Sequence, residues 1–183
     1  MEIFWKNEIL IDVLRQGGVV IMPTDTIYGI VGLALNRETV ERIYKIKKRA
    51  PEKPCIILIG DKKELEKFSI NLSLEQEKVL EKYWLSADGA EGSEPTSIIF
   101  DCPDDKFEYL HRGTKTLAFR LPAQAELREL LRQTGPLIAP SANPEGLPPA
   151  LDTAKAKEYF GLPAQAGDLV DLYIDGGEKN SKP

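Results

Sequence analysis

Gly17-Gly18-Val19-Val20-Ile21-Met22-Pro23-Thr24-Asp25-Thr26-Ile27-Tyr28-Gly29 is the stretch on which the reading of this 183-residue chain turns. Val19 to Met22 form an apolar run rich in β-branched residues, which predicts a short strand buried on both faces. Pro23 fixes φ and ends the ladder, and Thr24, Asp25 and Thr26 then offer three short oxygen-bearing side chains, with Gly29 allowing close backbone approach. A cluster of this kind at a strand end is where an open α/β sheet holds its ligand. The same residues also make an ordinary Pro-Thr-Asp turn that satisfies its own backbone, and the stretch by itself does not choose between the two.

A second stretch repeats the pattern. Leu137-Ile138-Ala139 reads as a strand, and Pro140-Ser141-Ala142-Asn143-Pro144-Glu145-Gly146 follows as a proline, small hydrogen-bonding side chains and a glycine. Two such turns suggest one shared site. Between and around them, periodicity and caps predict helices over residues 6–15, 37–48, 61–68, 73–84, 123–133 and 152–160. Strands are predicted at 55–59, 97–100, 116–121 and 169–174, the first as a continuous apolar run fit for a central position. Residues 85–95, small, acidic and glycine-bearing, read as a loop, and 101–115 as irregular chain with an exposed His111. No internal repeat or separable linker appears. The expected architecture is therefore a single α/β (α+β) domain over residues 1–183, a twisted mixed sheet with flanking helices.

Composition narrows the function classes. Hydrophobic content of 42% with 29% charged residues is that of a globular protein, and no apolar run approaches the roughly 20 residues of a membrane span. The N-terminus lacks the pattern of a secretory signal, so a cytoplasmic location is expected and no membrane partner. The net charge of −5 argues against nonspecific polyanion binding by the whole surface. Cations are instead concentrated: Lys45, Lys47, Lys48, Arg49 and Lys53 fall at the end of one helix and just after it. Such a tail either complements the negative helix end in solvent or faces a polyanion. Cys55 and Cys102 lie far apart and give neither a disulfide nor a zinc pattern, and Cys55 reads as a small core residue. Neither a Walker loop nor a dinucleotide fingerprint occurs. The one histidine, His111, sits in no catalytic context, so catalysis by positioning and charge stabilisation is expected in place of a covalent intermediate.

Pro23-Thr24-Asp25-Thr26-Ile27-Tyr28-Gly29, Lys47-Lys48-Arg49 as a K-x-R motif, Arg120-Leu121-Pro122, and Ser141-Ala142-Asn143 as S-x-N occur in the order in which the YrdC-like family carries them. The chain resembles that family from about Gly17 to Gly177. The resemblance implies a YrdC/RibB-like fold with a concave, positively charged cavity. It implies the activity of threonylcarbamoyl-AMP synthases, which combine L-threonine, bicarbonate and ATP, with Mg²⁺ accompanying the ATP and no protein-held metal. The product serves N6-threonylcarbamoyladenosine formation in tRNA through downstream threonylcarbamoyl transferase proteins. Carried over by resemblance, Thr26, Tyr28, Arg120 and Asn143 contact threonine. Lys47 and Arg49 serve catalysis and, with Lys53, Thr116, Ala139 and Ser141, the ATP side. Asp25 is expected as a turn former.

The chain departs from the family's pattern in several places. Where relatives carry W-P-G-P-x-T it has Trp84, the 85–94 loop, then Pro95-Thr96-Ser97, with Ser97 in place of the threonine. Leu58 stands where many relatives have a histidine and Glu145 where many have a serine. The family's Ser-Thr pair, expected shortly after Gly177, is absent, which reads as truncation just before that motif. Two further readings stand beside the synthase: a noncatalytic tRNA or double-stranded RNA-binding protein of the same fold, and a paralogue acting on another carbamoyl or nucleotide substrate.

Overall fold

The stretch around Pro23 folds as a hairpin. The computed structural model describes residues 3–85, 96–161 and 169–179. In it, β1 (Val20–Pro23) turns through residues 24–27 into β2 (Tyr28–Leu33), antiparallel, with Pro23 opposite Tyr28. The apolar run predicts β1, and no pattern in the sequence announces β2. Its first five residues are buried alike and it contains Gly29 and Gly32, so it shows neither alternation nor a bulky β-branched run. Gly32 has a packing reason: a Cβ there would lie 2.4 Å from Thr39 Cγ2 and 3.1 Å from Ile43 Cδ1. Only a glycine lets the next helix lie this close.

Strands β3 (Ile57–Leu58), β4 (Ser97–Asp101), β5 (Thr116–Arg120), β6 (Leu137–Ile138) and β7 (Leu172–Tyr173) complete one sheet in the order β4-β5-β3-β6-β2-β1-β7. The pairs β1·β7 and β3·β5 are parallel and the others antiparallel, so the sheet is mixed, as expected. Apolar run 55–59 does lie centrally, although only two of its residues pair as strand. Around the sheet lie α1 (Glu8–Arg15), α2 (Arg37–Lys47), α3 (Leu74–Leu80), α4 (Glu108–His111), α5 (Ala125–Thr134) and α6 (Thr153–Phe160).

Alternation along the strands sends side chains into two cores. Val20 and Met22 join Leu58, Leu137, Leu10 and Leu14 of α1, and Leu127, Leu130 and Leu131 of α5. Val19 and Ile21 point the other way, into a larger core with Ile57, Phe119, Ile138, Val40 and Ile43 of α2, and Phe160 of α6. Each fully buried aliphatic residue stabilises by roughly 1.5–3 kcal/mol. Side-chain caps start the helices where the sequence places them: Asn36 accepts from Thr39 N at 3.1 Å, Ser73 and Gln76 form a reciprocal box, and Asp152 accepts from Lys155 N at 2.7 Å.

Three segments differ from expectation. Residues 62–68 form a 3₁₀ helix, and Glu64 accepts from Gly60 N at 2.8 Å in place of the N–H of its capping residue Asp61. The 73–84 helix becomes a π turn at Glu81–Leu85, from which the Trp84 indole donates to Thr96 O at 3.1 Å. His111 is buried, not exposed: it ends α4, and its Nδ1 accepts from Gly113 N at 3.1 Å. The loop body at 86–95 and Ser181-Lys182-Pro183 lie outside the described residues. No helix among the described residues is long and apolar enough to cross a membrane.

Candidate functional site

The two polar turns meet. Ile30 N donates to Pro140 O at 2.9 Å, Ala142 N donates to Tyr28 O at 2.8 Å, and Gly29 bridges Ser141. Beside this junction opens a cavity of about 360 Å³. Thr24, Asp25, Thr26 and Ile27 line it from the first turn, and Ala139, Pro140 and Ser141 from the second. Arg49, Cys55 and Arg120 come from the loop after α2, the approach to β3 and the end of β5. The first turn is rigid because Thr24 braces it: its backbone N–H and its hydroxyl both donate to Ile27 O, at 2.9 and 2.7 Å.

Arg120 is the fixed cation of this cavity. Its Nε donates to Ser97 Oγ at 3.0 Å, its Nη1 reaches Thr26 Oγ1 at 3.5 Å, and Nη1 lies 3.6 Å from Asp25 Oδ1. The Asp25 side chain is 2% exposed and neither carboxylate oxygen accepts a hydrogen bond. Burial therefore raises its pKa above the ordinary carboxylate value, against the opposing charge of Arg120. The resulting unit is a guanidinium oriented by two hydroxyls and balanced by a poorly solvated carboxylate, suited to gripping a small anionic group.

Across the cavity the cations of the K-x-R motif part company. Arg49 lines the cavity, with its Nε donating to Lys53 O at 3.0 Å and its Nη2 to Pro54 O at 2.9 Å. Lys47 does not line it. At 2% exposure its ammonium donates to the carbonyls of Ser141 and Asn143, and it holds the second turn from beneath. Burial, with Arg49's charge, pushes its pKa down to about 8. Lys53, next to the lining residue Pro54 but not itself a lining residue, pairs with Glu145, whose other oxygen accepts from Ala50 N at 2.5 Å. The Glu145 charge is thereby balanced by the basic loop.

Thr26, Arg49, Arg120, Ala139 and Ser141 are thus brought to one cavity, while Lys47, Lys53, Tyr28, Thr116 and Asn143 are not among its lining residues. Tyr28 is fully buried, its hydroxyl donating to Gly177 O at 2.8 Å and accepting from Gly176 N at 2.9 Å, so it ties the hairpin to the C-terminal segment. Thr116 shares Arg120's side of β5 but sits about 13 Å away along the strand, bonded to Thr114. Asn143 turns its amide onto Pro144 O and Leu147 O at 3.1 and 2.6 Å, shaping its own loop. Cys55 is buried at the cavity wall with its thiol pKa raised by burial, which keeps it a thiol and a packing residue. Asp25 was expected only as a turn former; an aspartate locked between two threonines after a buried strand signals a cation partner, but not which one.

The family model described as Telomere recombination, which joins Sua5, YciO and YrdC, matches residues 12–183. Among curated proteins, the threonylcarbamoyl-AMP synthase of Pyrococcus abyssi is 29% identical over 176 residues, covering 95% of this chain and 47% of that protein. That of Coxiella burnetii is 31% identical over 165 residues, covering 89% and 81%. The crystal structure of P. abyssi Sua5 complexed with L-threonine matches with a TM-score of 0.76 at 28% identity, over 96% of this chain and 48% of that one. The chain spans about half the length of both Pyrococcus proteins. With the motifs assembled around one cavity and the family match running across nearly all of its length, the chain belongs to the Sua5/YciO/YrdC family.

Proposed function

We propose that the cavity is the site of a threonylcarbamoyl-AMP synthase, forming L-threonylcarbamoyladenylate and pyrophosphate from L-threonine, bicarbonate and ATP. The observation that carries this reading is two arginines of different elements, Arg49 and Arg120, lining one cavity with the Thr24–Thr26 hydroxyls and the second turn between them. A carboxylate and a polyphosphate need two separated cationic contacts, and a small amino acid needs short hydroxyls close to one of them. Arg120, already oriented by Ser97 and Thr26, takes the carboxylate of threonine. Arg49 faces the phosphates, and Ala139 and Ser141 line the nucleotide side. That a solved relative is complexed with L-threonine supports the amino-acid half of this assignment.

The chemistry asks for positioning more than for a nucleophilic side chain. The amine of threonine and bicarbonate give a carbamate and water; a carbamate oxygen attacks the α-phosphorus and pyrophosphate leaves. Negative charge builds on the phosphoryl oxygens, which fixed guanidinium groups stabilise without reorganising. Magnesium enters this reading with the ATP, whose phosphate charge it helps to neutralise. The product feeds tRNA modification through transferase proteins that accept the threonylcarbamoyl group. Incubation with ATP, Mg²⁺, bicarbonate and labelled threonine tests the reading. Threonine-dependent pyrophosphate release with a labelled adenylate is expected, and release that ignores threonine would overturn it.

A further inference from the structure

The loop after α2 and the second turn are stitched together by groups that also make an anion site. Glu145 N donates to Lys47 O at 3.1 Å, while the Glu145 carboxylate accepts from the backbone N–H of Ala50 and from the Lys53 ammonium. Arg49's charge also acts on this carboxylate, and together with Lys53 and the Ala50 N–H it holds Glu145 ionised, below its ordinary pKa. A backbone N–H, an ammonium and a nearby guanidinium are the donor set that binds a phosphate oxygen. In this chain that set is filled by a side chain from the opposite turn.

We infer that Glu145 is an internal competitor of the nucleotide: it occupies Ala50 N–H and Lys53, donors beside the cavity that a phosphate would otherwise take, and the nucleotide must displace it. The inference rests on the nucleotide reading of the Arg49 side. The site adjoins the cavity through Arg49, one residue before Ala50, which lines it and is held in place by the Lys53 and Pro54 carbonyls. The contact is built to exchange. The Lys53 and Glu145 side chains are 55% and 30% exposed, and an ion pair of that exposure is weak and sensitive to salt. Displacement frees the ammonium and the N–H at once, while the bond from Glu145 N to Lys47 O keeps the turn in register.

Nucleotide affinity measured by calorimetry with Mg²⁺–ATP decides the matter. Glu145→Gln and Glu145→Ser are expected to bind ATP about fivefold tighter than the unaltered chain, with the gain shrinking as salt is raised. In a Lys53→Ala background most of that gain is expected to vanish, because the subsite has lost its ammonium. Unchanged or weaker binding by both Glu145 variants would make Glu145 a brace for the loop and overturn the inference. A gain that survives intact in Lys53→Ala would reduce it to long-range repulsion and overturn it equally. If the unaltered chain binds no ATP, the nucleotide reading itself falls and takes the subsite with it. Binding that is unaffected by Glu145 leaves the nucleotide reading standing.

Discussion

The Arg120–Asp25 pair and the Lys53–Glu145 pair face each other in role but differ in setting. The first is buried, with side chains 13% and 2% exposed, and adds hydrogen bonds to Ser97 and Thr26. The second lies on the rim, with side chains 55% and 30% exposed, between two loops. A buried pair is costly to form and costly to break, so it is kept where a cation must stand in one place before the ligand arrives. A rim pair contributes at most about 1 kcal/mol and gives way to a better anion. The difference separates a preorganised half around Arg120 from an adjustable half beside Lys53, which the proposed function matches to threonine and to the phosphates of ATP.

The contrast between the two pairs is expected to be largest at Arg120. Arg120→Ala strands the Asp25 carboxylate without its counter-charge, and a loss of about 3 kcal/mol in stability is expected, read by denaturant or thermal unfolding. L-threonine affinity is expected to fall by roughly a hundredfold in the same protein, read by calorimetry. Combining Arg120→Met with Asp25→Asn sharpens the point: stability returns in large part and threonine binding does not. Full stability in the single variant would show that Asp25 is not held by Arg120.

Lys47→Met comes next. It leaves the Ser141 and Asn143 carbonyls without their donor and is expected to cost about 2 kcal/mol at neutral pH. The pH dependence has a definite sign. Lys47's pKa is about 8 in the folded chain against 10.5 for an ordinary lysine, so between these values the unfolded chain binds more protons and stability rises with pH. The deficit of Lys47→Met relative to the unaltered chain should therefore widen across that window, by up to about 3 kcal/mol. A deficit constant with pH would place the ammonium outside the buried site.

Smaller effects belong to the adjustable half. Arg49→Ala is expected to weaken ATP binding about tenfold with less than about 1 kcal/mol lost in stability, since its carbonyl partners lie near solvent. Smallest of all is the response to salt: raising it from about 0.05 to 0.3 M should weaken ATP binding several-fold and threonine binding less than twofold. Equal responses would remove the distinction between the halves.

Much of the frame was legible because local physics wrote it. Asn36, Ser73 and Asp152 mark helix starts by side-chain bonds to neighbours within three residues. The apolar run at 55–59 marks a central position by burial on both faces. β2 escaped because Gly29 and Gly32 are there for their neighbours: Gly32 is required by Thr39 and Ile43, which come later in the chain. His111 escaped for a similar reason, since its burial depends on how the chain around α4 packs and no local pattern announces it.

Of the residues the motifs named, Thr26, Arg49, Arg120, Ala139 and Ser141 line one cavity, and the motifs left their roles undivided. A K-x-R string says that two cations are near each other, and residues two apart in sequence can point to opposite sides of a turn. Lys48, at φ 52°, ends α2 in the left-handed conformation. Lys47 lies on the helix's buried side, while Arg49 beyond the turn lines the cavity. By itself, then, the chain's sequence determined the family, most of the strands and helices but neither β2 nor α4, and the two polar turns that share a cavity, because each of these is written in periodicity, caps and short motifs. Tertiary structure alone decided that Asp25 balances Arg120, that Lys47 serves the Ser141–Asn143 backbone and that Glu145 fills the place beside Lys53. Those pairings join residues about a hundred positions apart, and charge finds its partner through space, with burial setting how firmly each is held.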